Sequence, residues 1–321
     1  MKFVEIAFRL PKFPKSSKIE GSEIVQRDCG EEEAAMNYVE KRISDLKQYL
    51  PDRTAPADLE EYWDRTLREA SKRELKDTRE TVQGLSSYIN YQRVTYEGFD
   101  QTPIHGWFLT PAFAGEGPLP CVVLYHGYTG SKGLPENHAN WLLAGYAVFA
   151  IDVRGQGGET GNLLPQTYGM TRGWITQGLL DPERHYYRAI AVDALKAVEW
   201  ASRQPEVDAS RIAVAGASQG GGLALIVSAL SDIPYKTVAD VPNMCHMDYG
   251  IALSTSSLVE AADFVSRFPE HLDTVLRTLS YFDMLNLCDR LKAPVLVSVS
   301  LKDTVCMPET IFSVYNRIEA P

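Results

Sequence analysis

The chain has 321 residues, of which 45% are hydrophobic and 23% charged, an ordinary composition for a globular protein with a large core. Its formal net charge of −10 argues against nucleic acid or an anionic membrane as the main partner. The five cysteines (Cys29, Cys121, Cys245, Cys288 and Cys306) lie far apart, which indicates reduced thiols and a cytoplasmic protein rather than disulfides or a zinc site.

Residues 1–35 differ in composition from the rest of the chain. They contain PKFPKSSK and an acidic run at residues 30–33, with little periodicity, which predicts a loose arm. A second interpretation is that translation starts at Met36, because Gly-Glu-Glu can be encoded by a purine-rich stretch resembling a bacterial ribosome-binding site. The first ten residues are a poor signal peptide, and no apolar run approaches the roughly 18 residues that span a bilayer.

Helical periodicity follows from Met36. Residues 36–50 form an amphipathic pattern, and Asp58 precedes a second periodic run, which predicts a capped helix. The stretches INYQRVTYEGF and PIHGWFLTP then alternate apolar and polar residues, as antiparallel strands do.

Beyond Pro120 the pattern changes to short apolar runs separated by helical stretches. Such runs are typical of strands buried on both faces, so the rhythm predicts one α/β domain over residues 36–321, with a mostly parallel sheet and helices on both faces. Residues 244–290 interrupt the rhythm as a mainly helical insertion before the last strand. The predicted strands are CVVLY, YAVFAID, RIAVAG, KTVAD and PVLVSVS, and the helices are ENHANWLLAG, YYRAIAVDALKAVEWASRQ and GGGLALIVSALS.

The stretch GASQGG lies between a predicted strand and a predicted helix. In the α/β-hydrolase fold, a G-x-S-x-G pattern at this position forms a sharp turn that exposes a nucleophilic serine. Glycines are needed because side chains there would collide with the neighbouring strand and helix. The pattern predicts Ser218 as a nucleophile, with Gly216, Gly220 and Gly221 as the glycines of its turn.

An acyl-transfer site also needs donors for the developing oxyanion. In this fold one donor is the backbone N–H after the nucleophile, here that of Gln219. The second comes from the loop after an earlier strand, and the N–H of Tyr128 in VVLYHGYTGS is the candidate. His126 in the same loop precedes the serine, and we interpret it as a histidine that hydrogen-bonds the backbone.

The acid of a catalytic triad should follow the serine at the end of a later strand. Asp303 after PVLVSVS fits, whereas its rival Asp240 lies one strand early. The base should be a histidine after Asp303, but all six histidines precede it. Cys306, near this region, is interpreted as a packing thiol.

Several segments together resemble the acetyl xylan esterase / cephalosporin-C deacetylase family, carbohydrate esterase family seven of the α/β-hydrolase superfamily. The resemblance runs from about Met36 to Pro321, and the Arg-Gly-Gln sequence combined with the serine turn is its most specific feature. It rests on YLPDRTAPADLEEYWDRTL, YHGYTGS, DVRGQGG, GWITQGLLD, HYYRAIAVDALKAVEW, GASQGGGLAL, LSDIP, TLSYFDMLNLCDRLKAPVLVSVSLKD and FSVYNRIEAP.

The resemblance implies the same nucleophile, acid and oxyanion donors. It further implies that Arg154, Gly155 and Gln156 support the architecture of the site. Members of the family carry a His-Glu pair after the acid, whose histidine is the base. The resemblance therefore implies that one last strand, this histidine and a final helix are absent from the chain, which is expected to be nearly inactive and poorly soluble.

The activity implied is that of a serine esterase that deacetylates small acetylated xylo-oligosaccharides, and cephalosporin C as a side activity, without metal or cofactor. The family is usually a homo-hexamer that encloses a central space. Two alternatives stay open: a peptidase of the prolyl-oligopeptidase type, which shares the serine turn, and a non-catalytic scaffold, suggested by the missing histidine.

Overall fold

The computed structural model describes residues 37–168 and 172–321, together with the backbone of Val4–Glu5. The predicted loose arm at residues 1–35, apart from this pair, lies outside the described residues, as do Cys29 and Met36. None of the helices formed by the described residues is long and apolar enough to cross a membrane.

The secondary structure follows the predicted order. The strands are β1 (Val4–Glu5), β2 (Thr78–Thr81), β3 (Ile89–Glu97), β4 (Pro103–Pro111), β5 (Leu119–Tyr125), β6 (Ala147–Ile151), β7 (Val207–Ala217), β8 (Lys236–Asp240) and β9 (Val295–Ser298). The helices are α1 (Tyr38–Lys47), α2 (Leu59–Ser71), α3 (Ala139–Leu143), α4 (Tyr186–Ser202), α5 (Gln219–Leu230), α6 (Met247–Leu253), α7 (Ser257–Arg267), α8 (Leu272–Ser280), α9 (Met284–Leu287) and α10 (Pro308–Tyr315).

The described strands form one mixed sheet in the order β1-β9-β8-β7-β5-β6-β4-β3-β2. Strands β5 to β9 pair in parallel, whereas β2, β3 and β4 extend the sheet in antiparallel fashion. The mostly parallel α/β-hydrolase sheet and the antiparallel early strands are thus confirmed. Sequence reasoning missed β1 and β2, which are short strands at the two ends of the sheet.

Two apolar cores lie on opposite faces of this sheet. Alternate residues of β5 divide between them: Cys121 and Val123 face the larger core, and Val122 faces the smaller one. Helices α4 and α5 pack on the larger core and α3 on the smaller, so helices cover both faces as predicted. This division follows from the period of two along a strand.

Helix α2 is attached to the helical insertion rather than to the sheet. The buried indole of Trp63 donates a hydrogen bond from Nε1 to the carbonyl of Tyr281, at 2.9 Å. The predicted cap of α2 is wrong: Asp58 makes no side-chain capping bond, because its carboxylate accepts from the Tyr281 hydroxyl at 2.6 Å and from Arg277. A tertiary partner has displaced the local capping bond.

The parallel strands bring their carboxyl ends to one edge of the sheet. The loops that follow them carry Tyr128 after β5, Arg154 after β6, Ser218 after β7, Asp240 at the end of β8 and Asp303 after β9. Ligand sites of open α/β sheets lie outside this edge.

Candidate active site

The turn between β7 and α5 holds Ser218 in a strained conformation, with φ 54° and ψ −120°. Its N–H donates to the carbonyl of Asp240 at 2.9 Å, and its own carbonyl accepts from the N–H groups of Asn243 at 2.9 Å and Gly222 at 3.0 Å. A residue with positive φ persists only where its surroundings determine it. These bonds, together with β7 and α5, fix the turn with the serine at its apex.

The predicted turn glycines are all sites of close backbone approach. A Cβ on Gly220 would lie 2.0 Å from the carbonyl oxygen of Tyr125, and one on Gly216 would lie 2.4 Å from the carbonyl carbon of Gly220. A Cβ on Gly221 would lie 3.0 Å from the carbonyl oxygen of Asp240. The helix can therefore begin directly against the sheet only with glycine at these positions.

The candidate oxyanion donors lie beside the serine. Gln219 is the first residue of α5, so its N–H has no acceptor within the helix. The loop of Tyr128 runs next to Ser218, because a Cβ on Gly127 would lie 3.7 Å from the Cβ of the serine. Within the described part of the chain, neither the Gln219 N–H nor the Tyr128 N–H donates to a protein acceptor. Both are free to bind a developing negative charge.

His126 has a structural role. Its Nε2 accepts from the N–H of Val153 at 2.8 Å, so the ring proton lies on Nδ1, which donates to the carbonyl of Gly127 at 2.8 Å. Burial lowers the pKa of His126. Both ring nitrogens are occupied by backbone groups, which agrees with the interpretation from sequence and leaves no nitrogen to act as the base.

Arg154 is fully buried and holds together the loops beneath the site. Its Nε and Nη2 donate to the two carboxylate oxygens of Asp193 at 2.6 and 2.8 Å, and its Nη1 donates to Asp100 at 2.7 Å. A bidentate pair of this kind combines charge with fixed geometry. The guanidinium attaches the loop after β6 to α4 and to the β3–β4 turn.

Gln156 connects the two candidate oxyanion segments directly. Its Oε1 accepts from the N–H of Thr129 at 2.8 Å, and its Nε2 donates to Oε1 of Gln219 at 3.0 Å and to the Tyr186 hydroxyl at 2.9 Å. Gly155, with φ 70°, allows the chain to turn between the two functional side chains. The site-supporting role that the Arg-Gly-Gln resemblance implies stays a prediction, and these bonds show which segments Gln156 joins.

Asp303 lies on the loop after β9, and this loop reaches the serine. Its Oδ1 accepts from the N–H groups of Val305 at 2.8 Å and Cys306 at 3.0 Å, and the Sγ of Cys306 lies 3.6 Å from the Oγ of Ser218. Among the described residues, Oδ2 of Asp303 has no hydrogen-bond partner, so it can accept from an imidazole N–H. Burial raises the pKa of the Cys306 thiol to about 11, which keeps it protonated, as expected of a packing thiol.

Asp240, the rival acid, is bound to the turn instead. Its carboxylate accepts from the hydroxyl of Ser298, and its carbonyl accepts from the N–H of Ser218. Asp240 therefore supports the backbone of Ser218.

None of the six histidines, all of which the structure describes, bonds to Ser218 or Asp303. Their polar partners lie elsewhere: Thr95 for His105, Val153 and Gly127 for His126, Lys132 for His138, Ile175 and Tyr187 for His185, Tyr49 and Asp248 for His246, and Tyr168 for His271. Among the described residues, the site holds a candidate nucleophile, two candidate oxyanion donors and a candidate acid, but no histidine placed to act as the base.

The helical insertion contributes residues that sequence reasoning missed. Ser254 donates from Oγ to the carbonyl of Val305 at 3.0 Å, and the N–H of Thr255 donates to the carbonyl of Thr304 at 3.1 Å. Glu260 accepts from the Tyr128 hydroxyl at 2.6 Å. The broken α/β rhythm located the insertion, but no periodicity indicates which of its side chains reach the site.

Comparison with known proteins gives a consistent result. A model of the acetyl xylan esterase family matches residues 36–321. The acetyl xylan esterase from Paenibacillus sp. R4 is 39% identical, with a TM-score of 0.83 over 87% of this chain and 90% of that one. Acetyl xylan esterase 1 from Thermoanaerobacterium sp. JW/SL YS485 is 32% identical, with a TM-score of 0.82 over 87% and 89%. The acetyl esterase Axe7A of Xylanibacter ruminicola is 25% identical over 86% of this chain, which spans 62% of that protein's length.

Proposed function

Because the chain belongs to the acetyl xylan esterase family of carboxylic ester hydrolases, we propose that the whole protein is a serine esterase that removes acetyl groups from small acetylated sugars. One observation carries the proposal. The strained Ser218 turn lies beside two backbone N–H groups, those of Tyr128 and Gln219, that no acceptor in the described residues uses. That is the arrangement a tetrahedral oxyanion requires.

In the proposed reaction, Oγ of Ser218 attacks the acetyl carbonyl while a general base takes its proton. The oxyanion accepts from the N–H groups of Tyr128 and Gln219. The same base returns the proton to the departing sugar oxygen, which leaves an acetyl group on Ser218. Water, activated by the base, then releases acetate. Asp303, through its free Oδ2, would orient the base and stabilise its cation. No step of this scheme calls for a metal ion or cofactor.

The chain as given contains every part of this scheme except the base, so we expect it to be nearly inactive. Removal of a triad histidine lowers turnover on the order of 10⁴- to 10⁶-fold, leaving the contribution of the oxyanion donors and of binding. The test compares p-nitrophenyl acetate hydrolysis by the 321-residue chain with hydrolysis by the same chain extended by a family-like C-terminal segment that carries the His-Glu pair.

We expect the extended chain to be roughly 10⁴-fold faster, and Ser218→Ala to abolish the gain. Equal and high rates in the two forms would contradict the missing-base proposal. A peptide anilide measured alongside tests the alternative of a peptidase. If a fluorophosphonate fails to label Ser218 in the extended chain, the non-catalytic scaffold is favoured.

We further propose acetylated xylo-oligosaccharides as substrates, with cephalosporin C as a side substrate, and a homo-hexamer whose enclosed space favours small molecules. An exposed apolar patch on the antiparallel extension and α3 supports assembly: Tyr88 is 69% exposed, Phe113 52% and Leu143 76%. Light scattering of the chain beside a Leu143→Glu variant tests this part. The described cysteines are all free, which supports a cytoplasmic location.

A further inference from the structure

Helix α7 of the insertion touches the candidate oxyanion loop through one carboxylate. The hydroxyl of Tyr128 donates to Oε2 of Glu260 at 2.6 Å and accepts from the N–H of Trp174 at 3.0 Å. The Tyr128 ring also packs edge-on against the Trp174 indole, with ring centroids 5.2 Å apart. The phenol thus makes three contacts, two with Trp174 and one with Glu260, and only Glu260 belongs to the insertion.

The chain around Glu260 is shaped to hold its carboxylate. Glu260 is only 8% exposed, and a Cβ on Gly173, which has φ 87°, would lie 1.7 Å from its Oε2. Burial raises the pKa of Glu260, while the Tyr128 hydroxyl, the charge of Arg172 and the N–H of Ile175 act in the opposite direction. A buried carboxylate is unfavourable unless its oxygens are satisfied. The backbone at residue 173 packs against this carboxylate. Glu260 is therefore a buried partner of the Tyr128 hydroxyl and not an exposed charge beside it.

We propose that Glu260 is a positioning residue for the oxyanion hole: by holding the Tyr128 phenol, it fixes the direction of the Tyr128 N–H toward Ser218. The inference rests on the proposed function insofar as that N–H is an oxyanion donor. The side chain and the N–H of Tyr128 leave the same Cα, so immobilising the phenol restricts rotation of the peptide group. A single oxyanion donor contributes on the order of 10²- to 10³-fold to turnover, and a misdirected donor loses part of that.

The variants separate the hydrogen bond from the charge and from simple packing. Glu260→Gln keeps an oxygen that can accept from the Tyr128 hydroxyl, whereas Glu260→Leu removes the acceptor. Asp263→Leu is the matched control, because it removes an exposed carboxylate one helical turn further along α7. Tyr128→Phe removes the hydroxyl but keeps the ring contact with Trp174.

The first readout is p-nitrophenyl acetate turnover by the histidine-extended chain, taken as the rate above that of Ser218→Ala in the same extended chain. We expect Glu260→Leu and Tyr128→Phe to lower kcat about tenfold with KM changed less than twofold. Glu260→Gln should retain most of kcat, and Asp263→Leu all of it. A change in KM alone, or an equal loss in Glu260→Gln and Glu260→Leu, would overturn the positioning role.

The second readout does not need turnover: amide hydrogen exchange of the peptide covering residues 126–133. Exchange should rise in Glu260→Leu and Tyr128→Phe and stay unchanged in Glu260→Gln and Asp263→Leu. Unchanged exchange in both Glu260→Leu and Tyr128→Phe would overturn the proposal. If the histidine-extended chain is no faster than its own Ser218→Ala variant, the proposed function fails, and exchange in the 321-residue chain then decides the Glu260 proposal alone.

Discussion

The turn of Ser218 and the loop of Asp303 lie side by side but are held in place by different means. The turn is fixed by backbone: strand pairing on both sides of β7, main-chain bonds to Asp240 and Asn243, and glycines in van der Waals contact with β5. The loop is fixed mainly by side-chain hydrogen bonds. The Asp303 carboxylate accepts from the N–H groups of Val305 and Cys306, and Ser254 of the insertion donates to the Val305 carbonyl.

This difference predicts how each segment responds to amino-acid substitution. A backbone-fixed turn tolerates almost no change in its own residues, because a methyl group already collides with main-chain atoms. A loop fixed by side chains should lose stability in small, separable steps as individual bonds are removed. The predictions below test that contrast.

The largest effect is expected for Gly220→Ala. The added Cβ would lie 2.0 Å from the Tyr125 carbonyl oxygen, so β5 and α5 must separate and the turn cannot form. We expect loss of cooperative thermal unfolding by circular dichroism. Gly115→Ala is the control, because its Cβ would meet nothing within 4 Å. A Gly220→Ala protein that melts like the wild type would contradict a backbone-fixed turn.

The next largest effect separates the two aspartates in the histidine-extended chain. Asp303→Ala should lower kcat roughly 10⁴-fold, because the base loses the group that orients it. Asp240→Ala removes only the bond to Ser298 and leaves the Asp240 carbonyl in place, so its kcat should fall less than about tenfold. If the two losses were reversed, Asp240 would be the acid.

The stability of the protein should also depend on pH through His185, which caps the start of α4. Burial lowers the pKa of this histidine to about 4 from its ordinary 6.5, although the hydrogen bond that Nε2 donates to the Ile175 carbonyl acts in the opposite direction. Nδ1 accepts from the Tyr187 N–H, so the ring is neutral in the folded state. The folded state favours the neutral ring, so this stability is complete above pH 6.5 and is lost as the pH falls toward 4.

We expect urea unfolding to show about 2 kcal/mol less stability from this group at pH 5 than at pH 7.5. His185→Asn keeps an acceptor at the start of α4 but cannot be protonated, so its stability should change less between these pH values. If the free energy of unfolding falls equally between pH 7.5 and pH 5 in the wild type and in His185→Asn, His185 is not the source of the pH dependence.

The smallest effect is expected at the loop. Ser254→Ala removes the hydrogen bond to the Val305 carbonyl, and we expect a loss of about 1 kcal/mol in the free energy of unfolding. Thr255→Val removes only the exposed hydroxyl that bonds Thr304 and leaves the Thr255 N–H in place, so its loss should be smaller. Loss of cooperative unfolding in Ser254→Ala would mean that the loop tolerates substitution as poorly as the turn does.

The same contrast explains what the sequence could predict. The order of strands, the serine turn and the loop after β5 follow from local patterns: apolar runs, glycine spacing and chain order. The capping role of Asp58 failed because Tyr281, more than 200 residues away, takes its carboxylate. The bonds from Ser254 and Glu260 could not be predicted, since they join distant segments through single side chains that leave no periodic signal.

The sulfur of Cys306 has a consequence for the hydrogen bonding of the Ser218 hydroxyl beside it. A thiol is a weak donor and a weak acceptor, so the Sγ of Cys306, 3.6 Å from the Oγ of Ser218, packs against the hydroxyl and forms at most a weak hydrogen bond with it. A serine or threonine hydroxyl in its place would compete for the same proton and lone pairs. The Cys306 thiol therefore leaves the hydroxyl proton of Ser218 available to a stronger acceptor.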